Sequence, residues 1–157
     1  AAGYTITSAY TAVKNPDTVQ FVYRDALWSG ADMIGLGVSS FSHVNGTHFQ
    51  NDHHYEPYLA HITEGRLPIY RALAINDQQK MIREFILQMK LGLVKRSYFQ
   101  EKFDVDIFEQ FAEPLKLHEQ YFSLDQDHIR VSRDGLLEID RLLHDFFLPE
   151  HRNSRYA

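Results

Sequence analysis

Asp32-Met-Ile-Gly-Leu-Gly-Val-Ser-Ser-Phe-Ser-His43 is the stretch whose reading decides the fold. After Asp32 it is apolar without alternation, and it ends on small residues, which predicts a short strand over Asp32–Val38. A strand apolar on both faces and bounded by loops belongs inside a sheet with parallel neighbours. Gly35 and Gly37 have no side chain to pack, so they mark the close approach of another backbone or of a ligand.

Upstream of this strand the pattern is less regular. Tyr4–Tyr10 alternates weakly and reads as a strand, Asn15-Pro16-Asp17 as a turn, and Phe21-Val22-Tyr23 as a short β-rich run. Downstream, Asn45-Gly46-Thr47 is a polar loop. A short helix follows over Tyr55–Glu64, stopped by Gly65 with Pro68 beyond it.

The chain changes character near Asn76. Asn76 with Gln79 forms a capping box, and Ile82, Phe85, Ile86, Met89 and Leu93 then share one helix face, with Gly92 near the stop. Ser97–Phe103 is a second short helix. Asp106 with Glu109 repeats the capping pattern and opens a helix running to about Glu119, with Phe108, Phe111, Ala112 and Leu115 inward. Tyr121–Leu124 and His128–Val131 read as two strands around Asp125-Gln-Asp127. Ser132 caps a last helix that buries Leu136, Leu137, Ile139, Leu142, Leu143 and Phe146. Helix, helix, helix, hairpin, helix is the order of a winged-helix-like module. The expected division is therefore residues 1–75 and 76–157.

Composition bounds what such a chain does. Its 157 residues, 44% hydrophobic, suit one domain, or a small domain carrying a piece of another. The formal charge of −5 argues against a general nucleic-acid binder. The helix before the hairpin, which reads DNA in many winged helices, carries Asp106, Glu109, Glu113 and Glu119 against Lys116, the wrong sign for phosphate. No run approaches the roughly 18 consecutive apolar residues of a membrane helix. The segment Ala1–Thr7 has neither basic flank nor apolar stretch, so no signal peptide and a cytoplasmic address are expected. Zero cysteines exclude disulfides, cysteine nucleophiles and iron–sulfur ligation by this chain.

Chemistry-bearing residue types are few. Five of the nine histidines fall between His43 and His61, namely His43, His48, His53, His54 and His61. Imidazole is the commonest metal ligand, yet no pair has the helical spacing with an intervening Glu of a metalloprotease. A polar loop with exposed histidines is the plainer reading. Ser39, Ser40 and Ser42 lack the G-x-S-x-G elbow of a hydrolase nucleophile, and Gly35-Leu-Gly37 lacks the third glycine of a dinucleotide fingerprint. Phe85, Phe108, Phe111 and Phe146 at helical spacing read as core rather than cofactor wall.

The residues from Tyr23-Arg-Asp-Ala-Leu-Trp28-Ser-Gly30-Ala-Asp32 through Gly35-Leu-Gly37-Val-Ser-Ser-Phe41-Ser42 resemble the C-terminal half of the oxygen-independent coproporphyrinogen III oxidase family. Gly46, Asn51, Tyr58, Gly65 with Pro68, Met89-Lys-Leu91-Gly-Leu93 and Ser132-Arg-Asp-Gly135-Leu-Leu follow in the family's order. These are radical S-adenosylmethionine (SAM) enzymes. The resemblance implies an α+β chain: the end of a partial TIM-like barrel, one or two strands, then a mostly helical winged-helix-like domain covering the barrel mouth.

It also implies SAM and a [4Fe–4S] cluster in the full-length protein, with the cluster's three-cysteine motif upstream and absent here. The implied activity is oxidative decarboxylation of propionates to vinyls in anaerobic haem biosynthesis, an oxidoreductase reaction that this portion alone does not perform. A porphyrinogen and the missing N-terminal half of the barrel are the implied partners. Of the family's functional positions only one carries over, the SAM contact just after the strand end, which is Phe41. Two alternatives stay open: a haem chaperone that binds haem without oxidase activity, and a stand-alone winged-helix interaction module.

Overall fold

In the computed structural model, residues 2–152 are described; Ala1 and residues 153–157, at the two ends of the expected division, lie outside them. The described chain forms two compact units, one of Tyr23–Lys80 and one of residues 2–22 with 81–152.

The second of these units begins with a hairpin, β1 (Thr5–Ser8) against β2 (Thr11–Val13). The expected Tyr4–Tyr10 strand is shorter than its pattern, because its last residues turn to let β2 pair back. The Ala9 amide donates to Lys90 O at 2.8 Å, and Ser8 and Val13 are buried, which ties the hairpin to the helical unit. No strand forms at Phe21–Tyr23: Val22–Trp28 is a helix, α1. The β-rich run is only three residues long, and Arg-Asp-Ala-Leu that follows favours a helix.

Within Tyr23–Lys80, β3 (Phe41–Val44), β4 (Thr47–Asn51) and β5 (Ile69–Ala74) make an antiparallel meander in that order, with α2 (Tyr55–Thr63) between the last two strands. The β3–β4 turn is Asn45-Gly46, with φ of 46° and 74°, the two left-handed residues of a tight hairpin. The polar loop expected there is thus a hairpin turn. The expected strand Asp32–Val38 does not form, nor does it have parallel neighbours. Only Met33 pairs, antiparallel to His43, and the backbone then turns, with Gly37 at φ 99° and Ser39 at φ 63°. No closed barrel is present among the described residues; the sheets are small and antiparallel.

Helix α3 (Asp77–Met89) starts as its pattern predicts. The Gln79 amide donates to Asn76 Oδ1 at 2.9 Å, and the Asn76 amide donates to Gln79 Oε1 at 3.0 Å. We expect Asn76→Ala to cost about 1 kcal/mol, read as a shift in the urea midpoint; an unchanged midpoint would count against the cap. Ile82, Phe85, Ile86 and Met89 are buried, whereas Leu93 is exposed. Leu93 leaves the helix face because Gly92 (φ 84°) ends the helix and β6 (Leu93–Lys95) begins.

The remaining order is α4 (Arg96–Phe103), α5 (Ile107–Gln110), α6 (Ala112–Leu117), β7 (Phe122–Leu124), β8 (His128–Val131), α7 (Arg133–Leu137) and α8 (Ile139–Leu142), then 3-10 turns. The helix expected from Asp106 to Glu119 breaks at Phe111. Pro114 has no N–H for the Gln110 carbonyl, and its ring would clash with that carbonyl in a continuous helix. The break leaves Ala112 exposed; Phe111 and Leu115 stay buried, and Phe108 is partly so. Ser132 accepts from the Gly135 amide as the expected cap, but the last helix is segmented, and Leu137 points to solvent.

β8 lies between β6 and β7 in an antiparallel sheet. At the β7–β8 turn, Asp125 Oδ1 accepts from the amides of Asp127 and His128, each at 2.9 Å. The Asp127 amide foremost, with the His128 ring and amide behind it, holds this carboxyl down to about 2. The depressed value means that the turn favours the ionised form. That preference is fully present above about pH 4, the ordinary carboxylate value, and is lost as pH falls through about 2. Carboxyl-carbon NMR titration should show this midpoint; an ordinary midpoint in the folded chain would contradict the turn geometry.

Candidate functional site

The turn that replaces the expected strand is laced by backbone and side-chain hydrogen bonds. The Gly35 amide donates to Ser42 Oγ at 3.0 Å, and Ser40 Oγ donates to the Leu36 carbonyl at 2.6 Å. The Ser39 amide donates to Asp52 O at 2.8 Å, and Gln50 Nε2 donates to Ser39 O at 3.2 Å. Asn51 uses its side-chain amide on two carbonyls, Gly35 O at 3.1 Å and Gly37 O at 3.0 Å. Ser42, Asn51 and Asp52 are buried beneath the turn, while Phe41, one step out of phase along β3, faces solvent at 53% exposure.

Gly35 is there for space. A Cβ on it would lie 2.3 Å from the Phe41 carbonyl oxygen and 2.9 Å from Ser40 Cβ. This accords with the close approach of another backbone that its strand-like setting suggested. The hydroxyls of Ser40 and Ser42 bind the turn's own backbone, which makes them scaffold rather than nucleophiles.

The five histidines are spread over the unit. His43 and His48 face each other across β3 and β4, rings 4.3 Å apart; His53 lies 4.0 Å from the His54 ring and edge-on to Tyr70 at 4.6 Å. His61 sits in the last turn of α2. Among the described residues no three His, Cys, Asp or Glu side chains gather as a metal site would require.

The other unit holds its polar groups as structural ties. Glu84 is buried and accepts from Tyr98 Oη at 2.6 Å and from Lys102 Nζ at 2.8 Å. Burial, then the Glu84 carboxylate, raises the Tyr98 phenol above its usual range. Burial alone would lower the Lys102 ammonium; Glu84 and Tyr98 outweigh it and raise it. Asp106 caps α5 through the Phe108 amide at 3.0 Å and binds Arg96, whose hydrogen bonds hold its carboxyl below the ordinary range. Phe85, Phe111 and Phe146 are buried together and Phe108 lies against the same cluster, which makes them core, as their spacing suggested.

With this geometry set, comparison with known proteins is informative. The structure superposes on coproporphyrinogen III oxidase from Escherichia coli, described as a radical SAM enzyme, with a TM-score of 0.71 over 92% of this chain and 37% of that one, at 21% identity. The chain thus shares the fold of one portion of that protein. In sequence the chain is 28% identical over 135 residues to the oxygen-independent coproporphyrinogen III oxidase of Pseudomonas aeruginosa, and 35% identical over 94 residues to that of Helicobacter pylori. No protein-family model matches it. Over 55% to 80% of its length the chain is thus similar to a part of oxygen-independent coproporphyrinogen III oxidases. It spans only 20% to 29% of the length of these curated relatives.

The two cofactors that the family implies fit this chain differently. An iron–sulfur cluster needs thiolates, and the sequence has no cysteine, so the residues present do not fit the cluster. At the position where the resemblance places a SAM contact, Phe41 presents a half-exposed aromatic ring at the end of the laced turn, and Gly35 lets the Phe41 carbonyl seat where a side chain would otherwise stand.

Proposed function

We propose that the chain is the C-terminal portion of an oxygen-independent coproporphyrinogen III oxidase-like radical SAM enzyme of the cytoplasm. The Tyr23–Lys80 unit would supply the end of the SAM barrel and Phe41 its SAM contact; the helical unit, which takes the N-terminal hairpin out of the expected 1–75 division, would form a winged-helix-like cover over the mouth. The observation that carries this reading is the inverted burial of the Tyr23–Lys80 unit. Its buried side chains among the described residues include Ser42, His43, Asn51 and Asp52, while Ile34, Leu36, Leu67, Tyr70 and Leu73 are 56% to 87% exposed. The large buried hydrophobics all lie outside this unit. A unit of this kind lacks the apolar burial that stabilises an independent domain, and its apolar surface suits a body built by other residues. The chain's short span against its relatives supports the same view.

In this role the chain's own residues shape and shield. Bound SAM supplies the hydrogen-abstracting radical in such enzymes, and a cover that excludes water protects it from side reactions. The Gly35–Phe41 turn, already laced by its own hydrogen bonds, would present Phe41 to the cofactor.

The coding sequence upstream of Ala1 should contain C-x-x-x-C-x-x-C. The full-length protein, reconstituted with iron and sulfide without oxygen, should then bind SAM and convert coproporphyrinogen III to protoporphyrinogen IX with release of two carbon dioxides. A reading frame that starts at Ala1, or a reconstituted protein that binds haem stoichiometrically and leaves coproporphyrinogen intact, overturns this reading.

A further inference from the structure

We infer that Asn51 is the positioning residue that sets Phe41 for the cofactor, an inference that rests on the function just proposed. Asn51 is buried at 5% exposure. Its side-chain amide nitrogen donates to Gly35 O and Gly37 O, and its main-chain N–H donates to Ser40 O at 2.9 Å. One residue therefore holds the turn at its start, middle and end.

Only a primary amide serves at this place. Its two hydrogens satisfy the Gly35 and Gly37 carbonyls, whereas a carboxylate would set negative oxygens against both of them. An alkyl side chain would leave two acceptors without their donor, at a cost comparable to lost hydrogen bonds. The turn also needs external bonds to persist, since Ser39 stands at φ 63°, where a residue with a Cβ is strained.

The link to Phe41 is direct. The Phe41 carbonyl oxygen lies against Gly35, in the place a Cβ would take, so any shift of Gly35 moves the Phe41 peptide. Asn51 grips Gly35 from below and acts on the cofactor through Phe41. A displacement of this kind weakens cofactor binding and spares the chemical step once the site is filled.

The test uses the full-length protein. SAM affinity is measured by calorimetry on the reconstituted protein, and KM for SAM and kcat by turnover, for wild type, Asn51→Ala and Asn51→Asp. The expected result is that Kd and KM for SAM rise about tenfold or more, with kcat at saturating SAM within about twofold of wild type. Tyr98→Phe, which loosens the other unit, controls for general destabilisation and should leave Kd unchanged. Lower kcat with unchanged Kd in the Asn51 variants would mean that fewer molecules fold, and overturns the positioning role.

Should the variants not accumulate, hydrogen exchange on the wild type decides. SAM should slow exchange at the Ser39 and Asn51 amides, which donate into and out of the turn, and unchanged rates there overturn the inference. A wild-type protein that binds no SAM overturns the parent function instead, which separates the two failures.

Discussion

Gly35→Ala should destabilise the Tyr23–Lys80 unit while leaving the helical unit standing. The added methyl meets the Phe41 carbonyl oxygen at 2.3 Å, far inside van der Waals contact, and backbone cannot rotate away as a side chain can. Relief requires moving either the turn or β3, and both are tied to Asn51 and Ser42. A cost of about 3 kcal/mol is expected, at the upper end of what overpacking by one methyl does.

The single tryptophan, Trp28, lies in α1 of the same unit, so its fluorescence follows that unit, while far-UV circular dichroism is weighted toward the other unit, which holds most of the helical residues. The fluorescence midpoint in urea should fall steeply and the dichroism midpoint little. Gly65→Ala gives the contrast: at φ 69° with open space around it, alanine there costs about 1 kcal/mol of backbone strain and nothing in sterics. Equal losses at the two glycines would show that crowding at Gly35 is not what holds the turn.

Phe85→Ala should produce the largest loss in the helical unit, about 4 kcal/mol. Phe85 is fully buried and stacks on Phe111 at 4.0 Å, with Phe99 edge-on at 5.8 Å and Phe146 at 5.5 Å. Truncation removes the ring's transfer energy and leaves a cavity walled by three other rings. Against the roughly 5–15 kcal/mol that separates a folded domain from its unfolded chain, this leaves little margin. The dichroism midpoint reads it, and Phe85→Leu should recover more than half of the difference. A loss below about 1 kcal/mol would mean that the aromatic cluster is loosely packed rather than the centre of the core.

The helical part was the most legible in advance. Asn76 with Gln79, Asp106, Ser132 and the stripe from Ile82 to Met89 act through neighbours three or four residues away, so the local pattern suffices. Where the structure departs from the periodic pattern, a single residue overrides it: Pro114 breaks the third helix, Gly92 releases Leu93, and Asn45-Gly46 makes a hairpin turn of a polar loop.

The candidate site was legible only in part. Gly35 could be marked for close approach, but the atom that approaches, the Phe41 carbonyl, follows from how β3 folds back. Asn51 stands in the sequence only as one member of the family's ordered residues, and nothing about an asparagine in sequence tells that its amide bridges carbonyls sixteen and fourteen residues earlier.

By itself the sequence determined the helical caps, the apolar helix faces, the hairpin near the end, the exclusion of thiolate chemistry and the family resemblance. Each of these rests on residue identity or on contacts within a turn or two of the chain. Tertiary structure alone decided that Asp32–Val38 forms a laced turn, that the histidines scatter, and that the Tyr23–Lys80 unit buries polar groups under an apolar exterior. These depend on which distant backbone comes near, and the apolar run of Asp32–Val38 is equally compatible with a strand inside a sheet or a turn at its rim. In the turn the Gly35 amide donates to Ser42 Oγ and the Ser39 amide to Asp52 O, while the Gly35 and Gly37 carbonyls accept from Asn51 Nδ2, so the backbone groups are satisfied without a neighbouring strand.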